Sequence, residues 1–539
     1  MPERQPSRRE MLRYLGLFGA VSMGVASPFS SPVVASSDSD SDTPYTTEDV
    51  TVDSFDGTEI AATEYNPDSE GPFPAVLVTH GWANDRKTDG PTALAELYAS
   101  NGYFVLTYDS RGFGASGGEV GVDGPNDIND VEELITYLAD HQAVESEGDN
   151  PVVGMDGFSY AAGIQLRAAA ALDRLDAVIP RWAWHDLRFS NDPNGVIKWP
   201  WFYSLYASGV LGSLGLIPEG RGRDAGEDGV PDVDPEFLQQ SRTALVDGEA
   251  PEALREFWRS RSPGPQEELR EIDAATLLIH GWHDRLFTPN EAFANYRGLQ
   301  EGSAEARLLV YNGGHDLIRS PGDNDPEQLA FLADAALRFF RRHLKDESVP
   351  EDEQLSPVTL YREEAGEFES YERLPTGERT LSLRESAGPG TTRLTTGPGG
   401  SATAAFDFDI TEPTDLTGTS ELTLRLTPRG GRPVVSAALV RVGSGGGSTT
   451  LKDQVAVTPV EGRGNTTVSL DLVGVEATLS PGETLRLVVG VSDDQLAPLL
   501  KDETLLGTFP PDSPPTGPYI PDEVASTDGL YFDSPEDPP

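Results

Sequence analysis

A serine hydroxyl, an imidazole and a carboxylate can hand an acyl group to water when each stands just past the end of a strand. This chain presents all three in that setting. The serine is Ser159, within Gly157-Phe158-Ser159-Tyr160-Ala161. Residues 151–155 before it are mostly apolar and residues 162–172 after it are rich in alanine. That pattern reads as strand, sharp turn and helix. A serine on such a turn stands clear of the sheet on strained backbone, and the residues two before and two after it must be small. Gly157 and Ala161 meet the demand, which gives the G-x-S-x-G nucleophile elbow with Ala in the last place. On its own the pentapeptide also fits an ordinary glycine-containing turn. The order of its partners makes it specific. A serine hydroxyl needs a base to take its proton, and the base needs a carboxylate to hold its tautomer. In serine hydrolases with such an elbow the chain order is Ser, then Asp or Glu, then His. Asp284 follows the apolar run 275–279, and His315 follows the run 307–311. The rival histidines are His80, His280 and His283 beside strand ends, with His141 and His343 in or at the end of helices. His80 precedes the elbow, the wrong side for the base, and His283 adjoins the acid. The oxyanion needs two donors. The backbone N–H of Tyr160 is one, and the loop at Gly81-Trp82, after the run 75–78, should supply the other.

The elements that must hold these groups follow from the hydrophobic pattern. Residues 50–52 and 60–62 flank Asp56-Gly57, a hairpin signal. Residues 75–78 and 103–108 read as buried strands, with a helix from 94 to 99 between them and an amphipathic helix at 127–141 after them. Strands alternating with helices mean a mostly parallel sheet covered on both faces. The expected fold class is α/β, an α/β-hydrolase fold with a helical cap insertion and a C-terminal all-β jelly-roll domain. The expected divisions are 48–184 and 272–350 for the hydrolase, 185–271 for the cap, and 356–539 for the β-sandwich. In the cap the alternation stops and aromatics dominate: Trp199, Trp201, Phe202, Tyr203 and Tyr206. They read mainly as cap core, with a minority at the substrate. After residue 356 short alternating runs at 380–383, 422–426 and 485–489 indicate the sandwich, and the tail from 508 is Pro- and Asp-rich.

A chain of 539 residues is too long for one core, so two or three domains are expected. Acidic residues number 89 against 40 basic, the net charge is -49, and only five residues are lysine. So acidic and lysine-poor a surface suits a protein dispersed in concentrated salt, and an extreme halophile is the expectation. The charge is spread along the whole chain, which argues against a cationic ligand. Nucleic acid is excluded as a partner. The absence of cysteine excludes disulfides, a thiol nucleophile and a lipid-anchored cysteine. Residues 1–35 read as a twin-arginine signal peptide: Arg8-Arg9, a short apolar stretch at 14–26, and Val33-Val34-Ala35 as cleavage site. The alternative is a retained anchor. Residues 36–47 are an acidic Ser/Asp linker. The expected location is extracellular or on the cell surface.

Four stretches carry a resemblance: Asp109-x-Arg-Gly-x-Gly-x-Ser-x-Gly118, Gly157-Phe-Ser-Tyr160, Gly281-Trp-His-Asp284 and Gly314-His315. Over roughly residues 48–500 the chain resembles the X-prolyl dipeptidyl-peptidase/cocaine-esterase family of serine hydrolases. The resemblance implies that Ser159, Asp284 and His315 form the triad and that the architecture is hydrolase, cap and jelly roll. Two departures stand out. Ala162 takes the place of a usual glycine, with Gly163 next. Trp82 stands where the family often has a tyrosine whose hydroxyl joins the oxyanion hole, so the Trp82 backbone N–H is the expected donor. The leading expectation is an exported serine hydrolase that cleaves small acyl esters or peptide-type amides through an acyl-enzyme. An X-Pro dipeptidyl aminopeptidase comes second. A catalytically inactive surface protein whose jelly roll holds glycans is the reading from another class, and the complete triad argues against it. No cofactor and no metal is called for, since the Asp-rich stretches 123–130 and 323–325 lack calcium-loop spacing and read as solvated loops. Glu219, Asp224 and Glu227 in the cap are acids that could hold a substrate ammonium. The cap aromatics instead favour a broad acyl hydrolase with an apolar pocket.

Overall fold

The structure is a computed structural model. It describes residues 44–148, 150–213, 233–315, 321–345, 347, 350, 354–375, 379–381, 401–426, 433–460, 465–492 and 530–532. The expected signal, most of the acidic linker, and Glu219, Asp224 and Glu227 lie outside the described residues.

Two strands, β1 (Tyr45–Asp53) and β2 (Glu59–Pro67), form the expected antiparallel hairpin around Asp56-Gly57. Then come β3 (Ala75–Val78) and β4 (Phe104–Tyr108). A two-residue ladder, β5 (Ser146–Glu147) with β6 (Asn150–Pro151), precedes β7 (Val153–Phe158). The sheet continues with β8 (Ala177–Arg181), β9 (Ala275–Gly281) and β10 (Ala306–Tyr311). With β11 (Val358–Arg362) and β12 (Glu367–Tyr371) the ten-stranded order is β1-β2-β4-β3-β7-β8-β9-β10-β11-β12, with β4 through β10 parallel along that order. The strand order reverses at β3, with β4 on one side and β7 on the other. Crevices at the carboxyl ends beside such a reversal are where open α/β sheets bind ligands.

Successive side chains of a strand point to opposite faces, and the two cores follow that rule. Leu77, Leu106 and Met155 pack under the helices Pro125–Asp140, Tyr160–Ala171 and Pro289–Gln300. Val76, Val78 and Val105 pack under Asp89–Ala99 and Pro326–Leu344. The last helix starts as its sequence requires. Asp325 is its N-cap, accepting from Glu327 N (3.0 Å) and Gln328 N (3.4 Å), and Pro326 takes the first turn, where no N–H is needed.

Between β8 and β9 lies the helical insertion: Leu187–Asn191, Trp199–Ser213, Pro235–Asp247 and Glu252–Arg259. The all-β part forms a five-stranded sheet, a four-stranded sheet and a two-stranded ladder around one apolar core.

Two boundaries differ from the sequence reading. β11 (Val358–Arg362) runs parallel to β10, and β12 (Glu367–Tyr371) pairs antiparallel with β11, so the hydrolase sheet extends past residue 356. β11 is buried along its length, as suits a strand inside a mostly parallel sheet. A short strand pattern carries no mark of which sheet will take it. β1 begins at Tyr45, inside the expected linker. Leu530–Phe532, in the Pro- and Asp-rich tail, forms a strand in the four-stranded sheet.

Candidate active site

Strand β7 runs into a turn at Ser159, which has φ 58° and ψ -114°. A non-glycine residue there costs on the order of 1–3 kcal/mol and persists only when its surroundings over-determine it. They do. Ser159 N donates to Arg181 O on β8 (2.8 Å), and Ala162 N donates back to Ser159 O (2.8 Å). A β-carbon on Gly157 would lie 2.6 Å from that of Ala161, which is why both flanking residues are small. Ala162 is fully buried without disturbing the turn. Gly163 is the position with no room, since a side chain there would run into Asp123 and Trp184. Beneath the turn, Arg181 grips Asp156 with two bonds of 2.7 Å, and Tyr98 adds a third at 2.5 Å.

Asp284 and His315 come together as the spacing predicts. His315 Nδ1 lies 2.6 Å from Asp284 Oδ2. Asp284 Oδ1 accepts from Leu286 N (3.1 Å) and Phe287 N (2.7 Å), so the carboxylate is aimed by its own loop. With Nδ1–H committed to the carboxylate, Nε2 carries the free lone pair, and it is buried without a hydrogen-bond partner among the described residues. The rings of Trp182, Phe287 and Trp201 stand edge-on around the imidazole, at 5.0, 5.0 and 6.4 Å.

The rival histidines are held elsewhere. His80 uses both nitrogens: Nδ1 lies 2.8 Å from Gly81 O, and Nε2 accepts from Ser110 N at 3.0 Å. Burial pushes its pKa down. His280 sits 2.7 Å from Phe287 O and so steadies the acid loop. His283 faces Asp453 at 3.7 Å.

The loop after β3 lies against the nucleophile, since a β-carbon on Gly81 would be 3.9 Å from that of Ser159. Trp82 has a second use that its sequence did not reveal. Its indole N–H donates to Leu205 O in the cap (2.8 Å), and the absence of a side chain at Gly209 lets the cap helix close on the ring. The Asp109-to-Gly118 stretch is architectural. Asp109 accepts from Arg86 N (2.6 Å) and Ala115 N (2.8 Å), and Arg111 binds Asp130 in a two-pronged pair at 2.7 and 2.6 Å.

The aspartates at 123–130 are a correction to the solvated-loop reading. Asp123, Asp127 and Asp130 are buried. Asp130 is paired with Arg111. Asp127 accepts from Gly124 N (2.9 Å) at the start of its helix, and burial, reinforced by Asp130, raises its pKa to about 7. Asp323 is buried too and accepts from the Tyr311 hydroxyl at 3.2 Å.

Sequence reasoning also missed residues of the all-β part. Gln454 reaches the acid loop, its Nε2 donating to Trp282 O (3.0 Å) and Asp284 O (2.9 Å). Two residues earlier, buried Lys452 donates to Asn312 Oδ1 (3.1 Å) on the loop that carries His315, and to Glu363 and Glu476. One short segment of the all-β part therefore ties down both the loop of Asp284 and the loop of His315. No local pattern marks these residues, which lie at least 140 positions from the two loops they tie down.

A cleft of about 640 Å³ opens over Ser159. From the hydrolase, Trp82, Tyr160, Trp184 and Phe287 line it. From the cap come Phe202, Leu205, Tyr206, Phe237 and Trp258. Of the five cap aromatics singled out in the sequence, Phe202 and Tyr206 face it, whereas Trp199 and Tyr203 stack on each other at 5.1 Å.

Residues 56–316 match the family described as X-Pro dipeptidyl-peptidase (S15 family). A cocaine esterase of Rhodococcus sp. (strain MB1 Bresler) is 25% identical over 331 residues, 54% of each chain. The chain thus spans about half the length of the curated relatives it matches. Among solved structures, a CocE/NonD family hydrolase from Staphylococcus aureus superposes with a TM-score of 0.60 at 16% identity, over 91% of this chain and 93% of the other. An α-amino acid ester hydrolase does so with 0.63 at 15% identity, over 86% and 92%. These two likenesses establish the fold.

Proposed function

We propose, from the match of residues 56–316 to the X-Pro dipeptidyl-peptidase (S15) family, that this protein cleaves acyl esters by way of an acyl-enzyme on Ser159. The Ser159 hydroxyl attacks the acyl carbonyl while His315 Nε2 takes its proton. Asp284 holds the imidazole tautomer and stabilises the imidazolium. The backbone N–H groups of Tyr160 and Trp82 receive the oxyanion. The same proton then goes to the leaving alcohol, and water repeats the sequence to free the acid. The observation that carries this reading is the 2.6 Å contact between His315 and Asp284, with Nε2 left available, in a fold that also holds a strained serine lining a cleft.

Esters are favoured over free-amine dipeptides by the cleft lining. A dipeptidyl peptidase must bury an ammonium, which needs paired carboxylates. Among the described residues no carboxylate lines the cleft. Buried Asp123 lies behind Gly163, and burial raises its pKa well above the usual carboxylate range, which makes it a poor partner for a cation. The deciding experiment is a Gly-Pro anilide with its amine free, the same anilide acetylated, and a panel of acyl esters, all in molar salt. Ester turnover with no preference for the free amine supports the reading. Hydrolysis of the free-amine anilide alone, lost on acetylation and without ester turnover, overturns it. Export by the twin-arginine route and adaptation to salt belong to the same proposal and rest on Arg8-Arg9 and on the net charge of -49.

A further inference from the structure

The cleft over Ser159 is apolar apart from a few groups, and two of those are unsatisfied. Asn191 ends the helix Leu187–Asn191 and is 3% exposed. Its Nδ2 donates to Leu187 O at 2.9 Å, which fixes which way the amide faces. Among the described residues its Oδ1 is buried without a partner. Ser241, on the helix Pro235–Asp247, is fully buried, and among the described residues its Oγ also has no partner. Both residues line the cleft that Ser159 lines. Buried polar atoms are almost always hydrogen-bonded, and an exception calls for an explanation. Here one group is an acceptor and the other can donate or accept. The neighbouring charge, Asp192, is paired through Oδ2 with Arg255 at 2.7 Å and does not line the cleft, although its Oδ1 has no hydrogen-bond partner among the described residues.

We propose that Asn191 and Ser241 form a polar subsite in the acyl pocket that selects acyl chains carrying an uncharged hydroxyl group. The hydroxyl donates to Asn191 Oδ1 and accepts from Ser241 Oγ, while the rest of the chain packs on Trp184, Phe202 and Trp258. A carboxylate or an ammonium at the same place would be buried without a counter-charge and is rejected. A site built to hydrogen-bond a hydroxyl discriminates against the analogue lacking it far more strongly than an apolar pocket discriminates by size. The proposal rests on the reading of this cleft as the acyl site.

The test uses the full chain in molar salt with p-nitrophenyl esters in matched pairs. One member has a plain alkanoyl chain, and the other has the same chain with a hydroxyl stepped along it. At one position the hydroxyl should raise kcat/KM by at least about tenfold over the plain twin. Asn191→Leu combined with Ser241→Ala should reverse that preference. These substitutions remove two unpaired polar atoms at the loss of a single bond, Asn191 Nδ2 to Leu187 O, so they should not unfold the protein. Binding of the corresponding diol and plain alkanol to the Ser159→Ala protein, followed by calorimetry, reads the subsite without turnover. Tighter binding of the diol, lost in the double substitution, supports the subsite even if no ester is hydrolysed, in which case only the catalytic reading fails. The subsite is overturned if no hydroxyl-bearing chain surpasses its plain twin, or if the preference survives both substitutions.

Discussion

Gln454→Leu keeps the volume of the side chain and removes the two bonds that tie the all-β part to the loop of Asp284, the proposed catalytic acid. Those bonds run to Asp284 O at 2.9 Å and Trp282 O at 3.0 Å, and Gln454, Trp282 and Asp284 are all buried. Each such bond contributes about 1 kcal/mol net, and a carbonyl left dry costs about 1–3 kcal/mol. A total of about 2–4 kcal/mol of stability should therefore be lost. The kinetic effect is separate. Asp284 keeps its own loop bonds to Leu286 N and Phe287 N, so the acid stays present but less firmly placed. Displacement by about 1 Å can lower a rate about 100-fold, and partial loosening should lower kcat by about ten- to a hundredfold. KM for a short ester should barely change, because the substrate touches neither bond. The assay is denaturant unfolding followed by tryptophan fluorescence, with kcat and KM measured on p-nitrophenyl acetate where the variant is folded. A folded variant with reduced stability and unchanged kcat would refute the reasoning and leave Gln454 a purely structural strut.

Three further outcomes are expected. Trp82→Phe should keep most turnover of a short ester, because the indole N–H is committed to Leu205 O. A loss of about 10²-fold or more, the scale of a missing oxyanion donor, would show that the indole acts on the substrate. Asp127 has a pKa raised to about 7 when folded, so the folded form binds its proton more tightly than the unfolded chain does. Its contribution to stability is largest below the ordinary carboxylate range and is lost as pH climbs to about 7. Asp127→Asn should flatten that decline by up to a few kcal/mol, measured as unfolding free energy at mildly acidic and mildly alkaline pH. An identical pH slope in the variant would exclude this carboxyl as the cause. Finally, with a net charge of -49, transfer to low salt should lower the melting temperature sharply, and a melting temperature independent of salt would contradict the halophile proposal.

How much of this was legible depended on whether the constraint was local. The elbow was readable because the crowding of Gly157 against Ala161 is settled within five residues. Asp284 and His315 were readable because strand ends in a parallel sheet all face one side, so chain order and position past a strand fix their neighbourhood. The cap showed as an interruption of the alternation, and its helices appear where the insertion was expected. What stayed hidden was long-range. The short run 358–362 looks the same whether it joins a sandwich or extends a parallel sheet, and its partner β10 decided the matter. The acids of 123–130 looked solvated on so acidic a chain. Their burial depends on Arg111, Ser54 and Tyr160, which only the fold brings near. Gln454 and Lys452 lack any pattern because the loops they hold, those of Asp284 and His315, belong to another domain. Trp82 looked like a lost hydroxyl until Leu205 and Gly209 showed what the indole holds.

The central claim is that Ser159 becomes acylated with His315 as its base. The most direct measurement is intact mass after reaction with a fluorophosphonate probe in molar salt, followed by peptide mapping. The account predicts one adduct per chain, on Ser159, absent in Ser159→Ala and slowed by several orders of magnitude in His315→Ala. A folded protein that takes no label, or that carries the label on a different residue, would contradict it.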